Sequence, residues 1–191
     1  MRVLQNAKCV ATLAALALLV QTLVLARFSV KQVDAQVQEQ QLVINGQLNL
    51  DLSSKTEEAL DKGIPLDVVF DVNLYHQRPI IWDSGLRHWQ FQRRIVFHAI
   101  SNQYLITTRL PGADPHQESF ASLQEALTGM GRLNAVELKT GQLDIPADSG
   151  LRMEIRARLD IESLPSPLRP VAYTSRSWRL NSGWSSWSVK R

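Results

Sequence analysis

Two histidines and an aspartate come nearest to the spacing of a metal site. His76 and His88 flank the segment that contains Asp83, and pairing of the flanking strands as a hairpin would bring both imidazoles near its end. Imidazole and carboxylate groups suit Zn²⁺ and similar cations. However, no recognised metal-ligand spacing is present, and strand periodicity places the two rings on opposite faces. We therefore expect ordinary histidines and no metal.

Serine, carboxylate and thiol chemistry find no better support. The chain has no G-x-S-x-G motif and no glycine-rich phosphate loop. Asp67 and Asp71 share one strand face about 13 Å apart, too far for the paired carboxylates of glycosidases, and are expected to be solvated. The only cysteine, Cys9, lies in the N-terminal segment. The sequence therefore predicts no catalytic residue, no cofactor and no enzyme.

Five tryptophans are the most informative large side chains. Trp82 and Trp89 bracket a central loop, while three more crowd the C-terminal region. An indole joins a large apolar surface to one N–H donor, so clusters either seal a fold or anchor a partner. Both interpretations stay open, and nearby arginines would suit an anionic partner. The candidate partner-binding residues are Trp82, Trp178, Trp184, Trp187 and Arg179.

The N-terminal segment predicts export. Residues 10–26 are almost wholly apolar and follow Arg2 and Lys8, the order of charge and apolarity in a secretory signal. Seventeen helical residues span about 25 Å, slightly less than a ~30 Å hydrocarbon core. We expect residues 1–26 to be a cleaved signal peptide or a retained anchor, a buried helix being the third alternative. The protein would then be periplasmic, or anchored in the inner membrane facing the periplasm.

Charge argues against nucleic acid. The chain carries a formal net charge of +3, but two basic residues precede residue 27 and every acidic residue follows it, which leaves +1. No run of lysine and arginine marks a phosphate-binding stripe. We expect no nucleic-acid partner, and membrane contact only through residues 10–26.

Period-two alternation predicts a mainly β (α+β) fold. Apolar residues alternate with polar ones over 42–52, 66–74, 89–97 and 151–161, as in antiparallel strands with one buried face. Residues 27–41 read as a polar linker with a weak strand at Val33, Ala35 and Val37. The expected fold of residues 42–191 is one domain, an antiparallel β-sandwich or a strongly curved sheet.

Two short helices interrupt the strands. The first has a capping box at Ser54 and Glu57 and ends near Gly63, and the second follows Ser119, with Ser122 and Glu125 at the same spacing. Both contain Glu-Ala-Leu, which suggests a duplicated strand–helix–strand–strand unit. Prolines predict an extended segment over 164–170, followed by a last strand over 177–189.

The sequence resembles an uncharacterised proteobacterial family, domain of unknown function 4390. The likeness covers most of the chain after about residue 45, and rests on the motifs EALDKGIPL at 58–66, Trp82-Asp83, SFASLQEAL at 119–127, RARLDIESLPSPL at 156–168 and WRLNSGW at 178–184. The second aromatic that usually follows Trp82 is not evident. The resemblance implies an exported protein without assigned activity, often encoded beside a nitrogen-regulation-type sensor kinase.

Two functional hypotheses follow. The first is a non-enzymatic envelope protein that binds another protein, with the outer domain of a membrane sensor kinase as the candidate partner. The alternative is a carrier or chaperone for an apolar ligand or lipid held between the sheets. A carrier needs an apolar cavity of several hundred Å³, whereas a binding module needs an exposed apolar patch.

Overall fold

The alternating segments form one nine-stranded sheet. A computed structural model describes residues 27–77, 84–143 and 150–191. Its strands are β1 Phe28–Gln38, β2 Gln41–Leu50, β3 Leu66–Gln77, β4 Ser84–His98, β5 Gln103–Arg109, β6 His116–Phe120, β7 Arg132–Lys139, β8 Gly150–Leu159 and β9 Ser185–Lys190. Their order is β6-β5-β4-β3-β8-β9-β1-β2-β7. The sheet curls strongly into a half-barrel, which confirms the mainly β prediction and its curved-sheet form.

Apolar residues at alternate positions of the strands fill the inside of the curl, except in the short edge strand β6, which has no buried residue. In β3 the core-facing residues are Leu66, Val68, Phe70, Val72 and Leu74, as the alternation predicts. Phe70 stacks on Phe91 of β4 with ring centroids 4.7 Å apart. All neighbouring strands pair antiparallel except β1 and β9, which are parallel. The interior is thus a continuous apolar core.

Side chains rather than strand pairing fasten the edge strand β7 to the far side of the curl. Three residues of β4, all at the alternate positions that include its core-facing side chains, donate hydrogen bonds to main-chain carbonyls in β7 or next to it. Arg87 Nε donates to Thr140 O at 2.9 Å, Trp89 Nε1 to Lys139 O at 3.0 Å, and Arg93 Nη1 to Arg132 O at 2.7 Å. We call this row of hydrogen bonds the seam. It satisfies carbonyls that an edge strand otherwise leaves to water.

Helix α1, Ser54–Asp61, begins at the residue that was predicted to be its cap. Ser53 is the N-cap: its Oγ accepts from Thr56 N, and Thr56 Oγ1 accepts from Ser53 N. The predicted box at Ser54 and Glu57 was therefore wrong by one position. Thr56 has the role that was predicted for a glutamate, because its hydroxyl oxygen also reaches the backbone amide of the N-cap residue.

Helix α2, Leu123–Gly131, joins the two outermost strands. Its N-cap is Ser122, which accepts from Glu125 N and confirms the predicted cap. Because α2 runs from β6 to β7, it crosses the open side of the curl. Its buried residues are Ala126, Leu127, Met130 and Gly131.

The stretch predicted as a polar linker is an interior strand. Residues 28–38 form β1, which lies between β9 and β2, with Phe28, Val33 and Ala35 buried. The weak strand expected at Val33 and Ala35 is present, but it is longer than the pattern indicated. The lysine and glutamines of β1 make the segment polar overall, so the alternation of its few apolar residues is weak in the sequence. The described fold therefore includes residues 28–38, which were predicted as linker.

The C-terminal region departs from both predictions made for it. Residues 164–170 are not extended: Leu164 N donates to Ile161 O and Leu168 N to Pro165 O in successive turns. A third helix, α3 Arg169–Thr174, starts there with Pro170 in its first turn, a position proline favours. A 3-10 turn over Arg176–Trp178 follows, so the last strand begins at Ser185 rather than 177.

The suspected duplication is not visible in the sheet. The order strand–helix–strand–strand occurs twice, as β2-α1-β3-β4 and as β6-α2-β7-β8. However, β3 pairs with β4, whereas β7 lies at the sheet edge and β8 beside β3. The two runs thus occupy different places.

Among the described residues, no helix has both the length and the apolarity to cross a membrane.

Candidate interaction surface

Four large apolar side chains are strongly exposed in the part of the chain that the structure describes. They are Ile100 at 94%, Val171 at 58%, Tyr173 at 46% and Trp184 at 43%. Scattered exposed apolar residues are normal on a protein surface. Trp184 differs because a charged neighbour holds its ring in place.

The Trp184 ring lies against an arginine on the outer face of the sheet. The guanidinium carbon of Arg156 in β8 is 4.4 Å from the ring centroid, within cation–π range. Pairing of Ser185 with Ile155 keeps the Trp184 backbone beside β8. We call the pair of Trp184 and Arg156 the platform. It offers an aromatic and a cationic group in a fixed geometry.

A buried aspartate fixes the arginine of the platform. Asp71 of β3 accepts from Arg156 Nη2 at 2.8 Å, from Arg158 Nε at 3.1 Å and from Gln90 Nε2 at 2.9 Å. Its residue exposure is only 3%, so the expectation of a solvated carboxylate was wrong, and the same holds for Asp67 beneath Arg94. The long side chains of neighbouring strands cover both carboxylates.

Hydrogen bonds decide the protonation state of Asp71. Burial raises its pKa, but donation from Gln90, Arg156 and Arg158 outweighs burial and holds the pKa below its ordinary value. A carboxylate with a lowered folded-state pKa stabilises the fold above the unfolded pKa of about 4, and that contribution is lost as the pH falls.

We therefore expect Asp71→Asn to lower the free energy of unfolding by about 1–3 kcal/mol at pH 7. The difference from the unmodified protein should shrink as the pH falls from 5 to 3, because the carboxylate is then increasingly protonated. Urea unfolding at both pH values measures this. A constant difference across the range would contradict the assignment of Asp71 as the ionised centre.

The candidate partner residues are distributed over different environments. Trp178 is buried in the core, and Trp187 is half-buried against it, its Nε1 enclosed and without a hydrogen-bond partner among the described residues. Arg179 is exposed and donates to the Tyr173 carbonyl. Trp82 lies outside the described residues. Trp184 is thus the most exposed of the tryptophans whose position is described.

Sequence reasoning missed Arg156 and Ile100. Arg156 was read as one of several polar residues on the outer face of β8, although it holds both Asp71 and Trp184. Ile100 lies in the β4–β5 turn, where a strongly apolar residue between Ala99 and Ser101 interrupts a polar hairpin loop. An isoleucine in such a loop was the sequence signal that could have indicated an exposed apolar side chain.

The histidines are placed apart by the register of β3 and β4. His76 pairs with Ser84, whereas His88 pairs with Asn73, whose Oδ1 lies 2.6 Å from His88 Nδ1. No group of three His, Cys, Asp or Glu side chains suited to a metal is found within the described ranges.

A cavity of about 290 Å³ lies beyond the seam, between β7 and the β5–β6 hairpin. Charged and apolar side chains both line it, among them Arg93, Glu118, Phe120, Arg132 and Val136. Its mixed lining does not resemble the apolar interior that a lipid carrier requires.

A family model described as "Domain of unknown function (DUF4390)" matches residues 26–188. The chain belongs to this family. The DUF4390 match starts just before β1 and extends into β9, so it includes the platform and the seam. No curated protein and no solved structure matches the chain.

Proposed function

We propose that this DUF4390 protein is an exported, proteobacterial envelope protein that acts by binding another protein rather than by catalysis. The proposed partner is the outer domain of a membrane sensor kinase. The protein would lie in the periplasm or be held on the periplasmic face of the inner membrane.

The platform is the observation that carries the proposal. Tryptophan and arginine are among the residue types that are enriched at energetic hot spots of protein interfaces. Here Asp71 immobilises Arg156, and Arg156 in turn covers one face of Trp184. Little side-chain freedom remains to be lost on binding, which favours affinity.

Export is supported by the sequence that precedes the fold. Residues 10–26 are apolar and follow two basic residues, which is typical of a segment that directs a chain across a membrane. The fold that follows needs no cysteine, since an apolar core holds it together.

The carrier alternative has less support. A carrier of an apolar ligand needs an enclosed apolar cavity, whereas inward-facing side chains of the described strands fill the curl. The cavity beyond the seam contains Arg93, Glu118 and Arg132. Mass spectrometry of gently isolated protein that repeatedly shows a bound lipid would favour the carrier.

We expect Trp184→Ala to reduce in-cell cross-linking to a partner about tenfold or more, because a central interface tryptophan contributes about 2 kcal/mol or more. Folding should change by about 1 kcal/mol or less, since the ring lies on the surface. Cross-linking in intact cells and urea unfolding of the purified variant measure the two effects.

Tyr173→Ala is the matched control, because Tyr173 is an aromatic residue of similar exposure that lies on α3 and is not part of the platform. It should leave cross-linking unchanged. Trp187→Ala should instead lower stability, as its ring packs against the core. Cross-linking that survives the loss of Trp184 in a folded protein would refute the platform as the binding site.

A further inference from the structure

The first described strand begins two residues after the end of the apolar segment in the sequence. Phe28 is fully buried and pairs with Leu50 at the beginning of β1. Only Arg27 separates it from Ala26, and two residue steps cover about 7 Å at most. If residues 10–26 remain in a bilayer, the start of β1 must therefore lie at the lipid surface.

One end of the curled sheet contains the start of β1. Leu50, its pairing partner, ends β2 and leads directly into α1. Ser53 Oγ donates to Ser177 O, which places the 3-10 turn beside α1, and Tyr104 OH donates to Asp61 Oδ1, which places the β4–β5 turn there as well. We call this the proximal end: α1, the β4–β5 turn at residues 99–102, and residues 160–180.

Three of the four most exposed large apolar residues in the described ranges lie at the proximal end. They are Ile100 in the β4–β5 turn and Val171 and Tyr173 of α3. Tyrosine is enriched at membrane–water interfaces, where its amphipathic ring lies at the level of the headgroups. Exposed apolar side chains are costly in water but favourable in the headgroup region.

Charges at this end do not favour one sign. Glu58 of α1 pairs with Lys55 of the same helix and with Lys62, which caps its C-terminal end. Arg179 donates a hydrogen bond to the Tyr173 carbonyl. The proximal end therefore lacks the basic cluster that attracts acidic lipids or an acidic protein, and its apolar side chains must supply the contact.

We infer that the proximal end rests on the lipid bilayer, with Ile100, Val171 and Tyr173 in the interfacial layer. This rests on the proposed export and on retention of residues 1–26. The short connection at Arg27 sets the distance, and the apolar side chains stabilise the contact. The platform, on the outer face of β8, then stays free for a protein partner.

The chain offers a direct test because its only cysteine is Cys9. A full-length Cys9→Ser protein carrying Ile100→Cys is labelled with nitrobenzoxadiazole and reconstituted into phosphatidylcholine vesicles that contain spin-labelled lipid. The matched control carries Lys139→Cys, an exposed position at the opposite end of the sheet, where Lys139 pairs with Gln41.

The label at position 100 should show a blue-shifted emission and lose about half or more of its intensity to the spin-labelled lipid. The label at position 139 should behave as in water. Equal, water-like emission at both positions in vesicle-embedded protein would overturn the inference and leave the partner proposal standing. A full-length chain that stays out of the vesicles would overturn both the anchoring and this inference.

Discussion

Arg93→Met is expected to lower the free energy of unfolding by about 2–4 kcal/mol. Arg93 is only 8% exposed, and its Nη1 donates to the carbonyls of Gly129, Met130 and Arg132. The first two carbonyls end α2, and the third opens β7. Methionine fills much of the same volume but donates nothing, so buried carbonyls lose their partners.

The charge of Arg93 is maintained despite its burial. Burial lowers the pKa of Arg93 to about 10, and the charge of Glu118 acts in the opposite direction. The side chain is therefore protonated at neutral pH. The guanidinium also lies 5.7 Å from the centre of the Phe70 ring, which partly compensates for the lost water.

Urea unfolding measures the loss, with Arg109→Met as the matched control. Arg109 is an exposed arginine at the end of β5, and its replacement should change stability by about 0.5 kcal/mol or less. Arg93→Lys should be intermediate, since one ammonium group cannot reproduce the guanidinium geometry. Full stability of Arg93→Met would mean that the seam does not hold α2 and β7 in place.

Gly131→Ala should lower the free energy of unfolding by about 1–3 kcal/mol through overpacking. Gly131 ends α2 against the backbone of β2, and an added Cβ would overlap the Leu48 carbonyl oxygen. The Leu48 carbonyl belongs to the backbone of β2, so it has little room to move aside. The helix would have to move away from the sheet that it covers.

The same glycine-to-alanine change at Gly85 provides the control. Among the described residues, a Cβ there would meet Tyr75 Cε1 at 3.9 Å, which is ordinary contact. Thermal unfolding of both variants should therefore show a clear drop for Gly131→Ala and little change for Gly85→Ala. Equal midpoints would show that α2 is not packed tightly on β2.

The strands with clear alternation could be predicted because a half-buried strand needs period two. The alternation in 66–74 and 151–159 gave the buried faces of β3 and β8 correctly. β1 was predicted as a polar linker with a weak strand, because glutamines and a lysine surround its few apolar residues. The prolines at 165–170 were misread because proline also suits turns and the first turn of a helix.

The candidate surface was harder to derive, since it depends on register across strands far apart in sequence. Asp71, Arg156 and Trp184 meet only because β8 lies between β3 and β9. No local pattern distinguishes the buried Trp178 from the exposed Trp184. The sequence signal was a group of tryptophans, and the sheet order separates the core members from the surface member.

Site-specific photo-cross-linking tests the central proposal, binding of another protein through the platform, most directly. A photoreactive residue replaces Ser186, an exposed residue of β9 next to the platform, in intact cells, and Lys139 serves as the control position. The account predicts a discrete adduct with one envelope protein from position 186, lost on Trp184→Ala, and none from position 139. The same adduct from both positions, or an adduct at 186 that persists without Trp184, would contradict it.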